Sequence, residues 1–96
     1  MSKEYDVAEH ILMCGEVPST AKELGILFGI NDIEVRKIIN EYRSDGIPIC
    51  SSHKGYYYSE SAEDIVKTIA SLKRRIAGIQ KAIDGLQKNV EVSDAD

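Results

Sequence analysis

From Ile65 to Val90 the apolar residues Ile65, Ile69, Leu72, Ile76, Ile79, Ile83, Leu86 and Val90 follow one another at alternating steps of four and three. An apolar repeat averaging 3.5 residues, kept over that length, is the seam of a coiled coil, because only supercoiling around a partner keeps such a stripe facing one way. Placing Ile69, Ile76, Ile83 and Val90 at a puts Ile65, Leu72, Ile79 and Leu86 at d, so every a residue is β-branched. That choice favours a parallel dimer, while the isoleucines at d admit higher states. The flanking pairs, Thr68 with Lys73, Arg75 with Gln80 and Ala82 with Gln87, are neither attractive nor strongly repulsive, so the orientation stays open. Gly78 and Gly85 fall at the outward c position and each costs about 1 kcal/mol of helix propensity relative to alanine, which makes the helix depend on its partner. A second arrangement docks Ile65, Val66 and Ile69 on the chain's own N-terminal part and leaves only the distal turns to associate.

Residues 1–60 form the candidate head, residues 61–90 the dimerisation helix and residues 91–96 an acidic disordered tail. A head of about 55 residues buries only roughly 60% of its unfolded surface, so it is marginal alone and gains from association. The formal charge of −4 argues against bulk coating of nucleic acid, but the charge is unevenly placed. Lys67, Lys73, Arg74, Arg75, Lys81 and Lys88 face the single acid Asp84 over residues 67–88, and Glu91, Asp94 and Asp96 follow. In the head, Lys22, Arg36, Lys37, Arg43 and Lys54 are balanced by Glu23, Asp32, Glu34, Glu41 and Asp45, so an anion-binding face there requires segregation of charge. Neither terminus reads as a signal peptide and no apolar run reaches the ~18 residues that span a bilayer. The expectation is a cytoplasmic protein without a membrane partner, with Cys14 and Cys50 reduced.

Residues 4–14 carry Val7, Ala8, Ile11, Leu12 and Met13 on a broad apolar helical face that stops at Gly15. Val17 and Pro18 suit a minimal strand. Ser19 or Thr20 caps a second helix with Ala21, Leu24, Leu27 and Phe28 inward, and Glu23 completes a capping box with Thr20. Gly29 ends it, and Asn31 caps the next helix with Glu34 at the reciprocal position, so the two helices cross steeply. Val35, Ile39 and Tyr42 line the inner face of that third helix, which ends at Gly46. Ile47–Ser51 then reads as a strand, Lys54-Gly55 as the turn and Tyr56–Tyr58 as the return strand, with Pro48 near the strand's start. Ser61 caps the last helix, with Glu63 and Asp64 in its first turn.

This order, mostly α with a small β-wing, resembles the winged helix-turn-helix family. Thr20 to Ile30 resembles the first helix and turn of the motif, Glu34 to Arg43 its recognition helix, and Ile47 to Tyr58 its wing; Lys54-Gly55-Tyr56 is similar to the wing of the biotin repressor's N-terminal domain. Ile49 to Ser61 also resembles small phage-type winged-helix proteins. The likeness covers about residues 5–60 and excludes the C-terminal helix. It implies a sequence-specific double-stranded DNA binder, read here as a dimeric transcription regulator of phage or prophage type. The recognition helix would meet base edges in the major groove through Ile33, Glu34, Arg36, Lys37 and Asn40. Arg36 suits a guanine edge, Asn40 an adenine edge and Glu34 a cytosine amino group. Ser19, Thr20, Lys22, Arg43, His53 and Lys54 would hold phosphates. The acids Asp32 and Glu34 and the net charge favour a second expectation, an adaptor that uses the same surface or the basic part of the rod on a protein partner.

Other constellations carry less. Strand alternation puts Tyr56 and Tyr58 on one face and Tyr57 on the other, which suits packing better than base stacking. His10 with Cys14 and Cys50 with His53 are two zinc-capable pairs of undiagnostic spacing, so no metal and no cofactor is expected. Separated histidines, Ser51-Ser52 without a nucleophile motif, and the lack of a glycine-rich phosphate loop give no expectation of an enzyme.

Overall fold

The structure, a computed structural model, describes residues 6–90, so the acidic tail and the first residues of the expected opening helix lie outside the described residues. Asp6 accepts the Glu9 amide at 3.0 Å and caps α1 (Val7–Cys14). Val7, Ala8 and Ile11 are buried, but Met13 is 76% exposed. Met13 stands two residues, about 200°, beyond Ile11 on the helix and faces away from the core. Gly15, at φ 62°, closes the helix by donating to the carbonyls of Ile11 and Leu12, and its own carbonyl accepts the Tyr58 amide at 2.8 Å.

The strand expected at Val17–Pro18 is reduced to one antiparallel bridge, Ser19 to Tyr56, with backbone bonds of 2.9 and 2.8 Å. Proline offers no N–H to extend such a ladder. Thr20, not Ser19, caps α2 (Ala21–Phe28): Thr20 Oγ1 accepts the Glu23 amide at 3.0 Å and Glu23 accepts the Thr20 amide at 2.9 Å. The buried stripe of α2 runs through Ala21, Leu24, Gly25 and Phe28, whereas Leu27, expected inward, is 59% exposed. The rotation follows from Gly25. Its carbonyl accepts the amides of both Gly29 and Ile30, and a Cβ there would stand 2.7 Å from the Ile30 carbonyl oxygen, so the helix must turn this side to the incoming chain.

Asn31 accepts the Glu34 amide at 2.9 Å and opens α3 (Asp32–Ser44), which buries Val35 and Ile39. The end is a Schellman motif: Ile47 donates to the Tyr42 carbonyl at 3.0 Å and Gly46, at φ 90°, to that of Arg43 at 2.9 Å. Strands β1 (Ile49–Ser52) and β2 (Gly55–Tyr58) pair antiparallel in the register Ile49–Tyr58, Cys50–Tyr57, Ser51–Tyr56 and Ser52–Gly55. The turn is therefore His53-Lys54, one residue earlier than expected, and Gly55 belongs to β2. A Cβ on Gly55 would lie 2.5 Å from the Ser19 carbonyl oxygen, so glycine is what lets the Ser19 segment come alongside.

The core is the contact of α1, α2, α3 and β1 through Val7, Ala8, Ile11, Leu24, Val35, Ile39 and Ile49, with Tyr42, Tyr56 and Tyr58 packed against it. Helix α4 (Ala62–Gln87), capped by Ser61, runs 26 residues, about 39 Å at 1.5 Å per residue. Its start is tied to the head: Thr68, 5% exposed, accepts the Ser51 amide at 3.2 Å, and Ser59 donates to Asp64 at 2.7 Å. Ile65 and Leu72 are half-buried there, but Val66, placed by the second arrangement on the head, is 62% exposed. The helix stops at Gln87 rather than at residue 90; Lys88, Asn89 and Val90 donate three residues back, the tightened geometry common at helix ends. Among the described residues no helix is long and apolar enough to cross a membrane. The molecule is thus mostly helical, with a small two-stranded sheet and one long C-terminal helix.

Candidate functional site

Two surfaces gather most, but not all, of the side chains singled out by the sequence. The first is the outward side of α3. The inner positions Val35, Ile39 and Tyr42 fix the helix rotation, and the opposite side presents Ile33, Arg36, Lys37 and Asn40 along a shallow groove of about 490 Å³ that also includes Glu41 and Ser44. Four of the five candidate base-reading residues therefore share one face. Glu34 is exposed but outside this groove, on the flank where its amide meets the Asn31 cap.

The second surface is an open cleft of about 640 Å³ between the start of α2, the β1–β2 hairpin and the second to fourth turns of α4. Of the candidate phosphate contacts, Thr20, Arg43 and His53 line it. Ser19, Lys22 and Lys54 do not: Ser19 is engaged through its backbone with Tyr56, and both lysines project from exposed positions outside the lining. Arg43 is not a free surface cation. Its Nε donates to the Ile49 carbonyl at 2.7 Å, Nη2 to Ser51 Oγ at 3.4 Å, and the guanidinium lies 5.7 Å from the centroid of the Tyr56 ring. Burial pulls its pKa below the usual arginine range; Tyr56 and Cys50 act in the opposite sense, and the positive charge of Arg75 adds to the lowering. The group remains a cation at neutral pH, held rigidly at the hairpin's base.

The remaining walls of the cleft come from α4: Lys67, Ser71, Arg74 and Arg75. The basic run Lys73-Arg74-Arg75 is thus divided, with Lys73 outside the lining. The signal that identifies this wall is the spacing of Lys67, Ser71, Arg74 and Arg75 at i, i+4, i+7 and i+8, one side of a helix.

The three tyrosines follow the alternation of the strand. Tyr56 and Tyr58 face the core, while Tyr57 sits beside Asp64 of α4, and burial followed by that carboxylate raises its pKa. His10 Nε2 and Cys14 Sγ meet at 3.5 Å, but buried Cys50 points its thiol to the Ser59 carbonyl, and among the described residues no three metal-ligating groups converge.

The apolar seam of α4 is the third exposed feature. Ile69, Ile76, Ile79, Ile83 and Leu86 are 44% to 71% exposed, and Val90 follows past the helix end at 58%. Ile65, Ile69 and Leu72 border a mostly apolar groove of about 330 Å³ against Ile47, Pro48 and Ile49, so the seam begins at the head's own surface. Comparison with known proteins finds no family model that matches the chain and no similar curated protein or solved structure.

Proposed function

We propose that the chain is a winged helix-turn-helix protein that binds double-stranded DNA as a dimer, with α2 and α3 as the motif, the β1–β2 hairpin as the wing and α4 as the dimerising rod. The observation that carries this reading is the outward face of α3, where Arg36, Lys37 and Asn40 stand together on a helix whose other side is locked into the core. Such a helix can enter a major groove without moving the fold, and Arg36 and Asn40 have the donor patterns that read guanine and adenine edges. The tight α2–α3 junction, which Gly25 permits, packs the inner side of α3 against α2 and leaves its outward face open. The exposed seam supplies the dimer, because a continuous apolar stripe at 3.5-residue spacing is complementary to a second copy of itself. A dimer would present two reading helices to related half-sites, the arrangement of a transcription regulator, and the likeness to phage-type winged-helix proteins sets the expected class.

A second reading is favoured by Glu41, which lies in the same groove as Arg36 and Lys37, and by Ile33 at its end, 71% exposed. An apolar and mixed-charge face of that kind also suits a protein partner, and the chain would then be an adaptor.

The test is fluorescence anisotropy with a random-sequence duplex pool over a salt series, comparing the full chain with an Arg36→Ala/Lys37→Ala variant. Salt-sensitive binding that the variant loses, with enrichment of paired half-sites on selection, is the expected result. Absence of binding at low salt refutes the DNA reading and leaves the adaptor.

A further inference from the structure

In a chain of net charge −4, the cleft between the hairpin and α4 is lined by Arg43, Lys67, Arg74 and Arg75, with His53 and Thr20 beside them, and among the described residues by no carboxylate. Among the described ion pairs only Lys67 has a carboxylate, Glu63 at 3.4 Å, and both side chains are largely exposed, so that pair contributes little. Arg43 and Arg75, one on α3 and one on α4, are close enough for the charge of one to disfavour the charge of the other. Cations gathered from two separate helices, with no acid in the lining among the described residues, raise the local potential and favour an anion between them.

The shape of the cleft indicates which anion. It is open, and its α4 wall from Lys67 to Arg75 covers nine residues, about 12 Å of helix, long enough to lie along a short run of consecutive backbone phosphates rather than a single one. It also adjoins the outward face of α3: Arg43 follows Arg36 by seven residues, two turns further along the same flank. On α4, Lys67 and Arg74 lie roughly 150–170° around the helix from the Ile76–Ile83 seam, on the side away from a second copy, whereas Arg75 stands at g beside Ile76 and flanks the seam.

We propose that this cleft holds the sugar-phosphate backbone of the bound duplex, which makes α4 a DNA-contacting element as well as the dimerising one, with Lys67, Arg74 and Arg75 as phosphate contacts beside Arg43. The proposal rests on the DNA-binding reading above and adds to it residues outside the winged-helix head. Lys67 and Arg74 are exposed and off the seam, so the double variant Lys67→Gln/Arg74→Gln should keep the fold and the dimer, as circular dichroism and sedimentation equilibrium can verify. A Lys73→Gln/Lys81→Gln variant removes the same charge from α4 outside the cleft.

In the anisotropy titration with the duplex pool, loss of two phosphate contacts is expected to weaken binding about tenfold and to lower the slope of log affinity against log salt by about two, with the selected sequences unchanged. The Lys73/Lys81 variant is expected to stay close to the wild type. An equal loss in both variants would show bulk charge rather than a cleft and overturn the proposal. So would wild-type affinity and slope in Lys67→Gln/Arg74→Gln while Arg36→Ala/Lys37→Ala abolishes binding, an outcome that leaves the DNA reading standing. A wild-type chain that binds no duplex at low salt removes both.

Discussion

The head and the rod use the same residue types to opposite effect. In the head, Ile11, Leu24, Ile39 and Ile49 are at most 2% exposed, each closed over by neighbours from other elements. In α4 the only buried residue is Thr68, a polar one, and the isoleucines beyond Leu72 face outward. Burial of apolar area is the main favourable term in folding, so the head carries its own stability while the distal rod is stabilised only when something covers its seam. Apolar content alone does not identify a core. Several elements must converge on it, and in α4 only the first turns have β1 to pack against.

The sharpest contrast is between truncations. Leu24→Ala should destabilise the head by about 2–5 kcal/mol, because it opens a cavity among residues that cannot collapse into it. Ile79→Ala in dilute solution should shift the unfolding midpoint by less than about 0.5 kcal/mol. If the seam pairs as proposed, the wild-type midpoint should rise with protein concentration, and Ile79→Ala should lose part of that rise. Chemical denaturation at two protein concentrations tests both, and an Ile79→Ala effect that ignores concentration would mean the rod is stable unpaired.

Glycines sharpen the same comparison at smaller magnitude. Gly25→Ala pushes a methyl against the Ile30 carbonyl oxygen and should cost about 1–3 kcal/mol. Gly78 has nothing within 4 Å of a built Cβ, so Gly78→Ala should stabilise α4 by up to about 1 kcal/mol through helix propensity. Thermal unfolding of the two single variants should show midpoints moving in opposite directions.

The smallest effect is in the pH dependence of the head. Tyr42 donates to Asp6 at 3.4 Å, and burial, followed by the charges of Asp6 and Glu9, raises its pKa above the ordinary 10.0. The folded state favours the neutral phenol, so this contribution is fully present below pH 10.0 and is lost as pH rises through the higher folded value. Tyr57 and Tyr58 are shifted in the same direction. Urea midpoints should therefore fall in alkali, and Tyr42→Phe should make the fall shallower without removing it.

Local signals were legible wherever the partner group lies within a few residues. The Thr20–Glu23 capping box, the Asn31 cap and the Gly46 helix end all form in the structure at the residues the sequence indicates. The turn at His53-Lys54 and the rotation of α2 that leaves Leu27 outside are not legible. The first depends on the segment around Ser19, which reaches Gly55 only after the chain has folded back; the second depends on the close approach of the Ile30 carbonyl to Gly25, a backbone contact that side-chain periodicity does not register. Of the candidate site, the α3 face follows from helical periodicity, but the role of Arg43 does not, because its partners Ile49, Ser51 and Tyr56 lie on the hairpin.

The helices, their caps, the presence of a hairpin and the heptad of α4 are written locally in the chain, because hydrogen bonds and side-chain periodicity within one element depend on nearby residues. Three-dimensional packing decided which apolar stripes close into a core and which stay open. It also decided that Lys67, Arg74 and Arg75 of α4 face Arg43 of α3 across one cleft. Electrostatic segregation of that kind is a property of distances in space, and residues more than twenty positions apart acquire those distances only when α4 docks on β1 through Thr68.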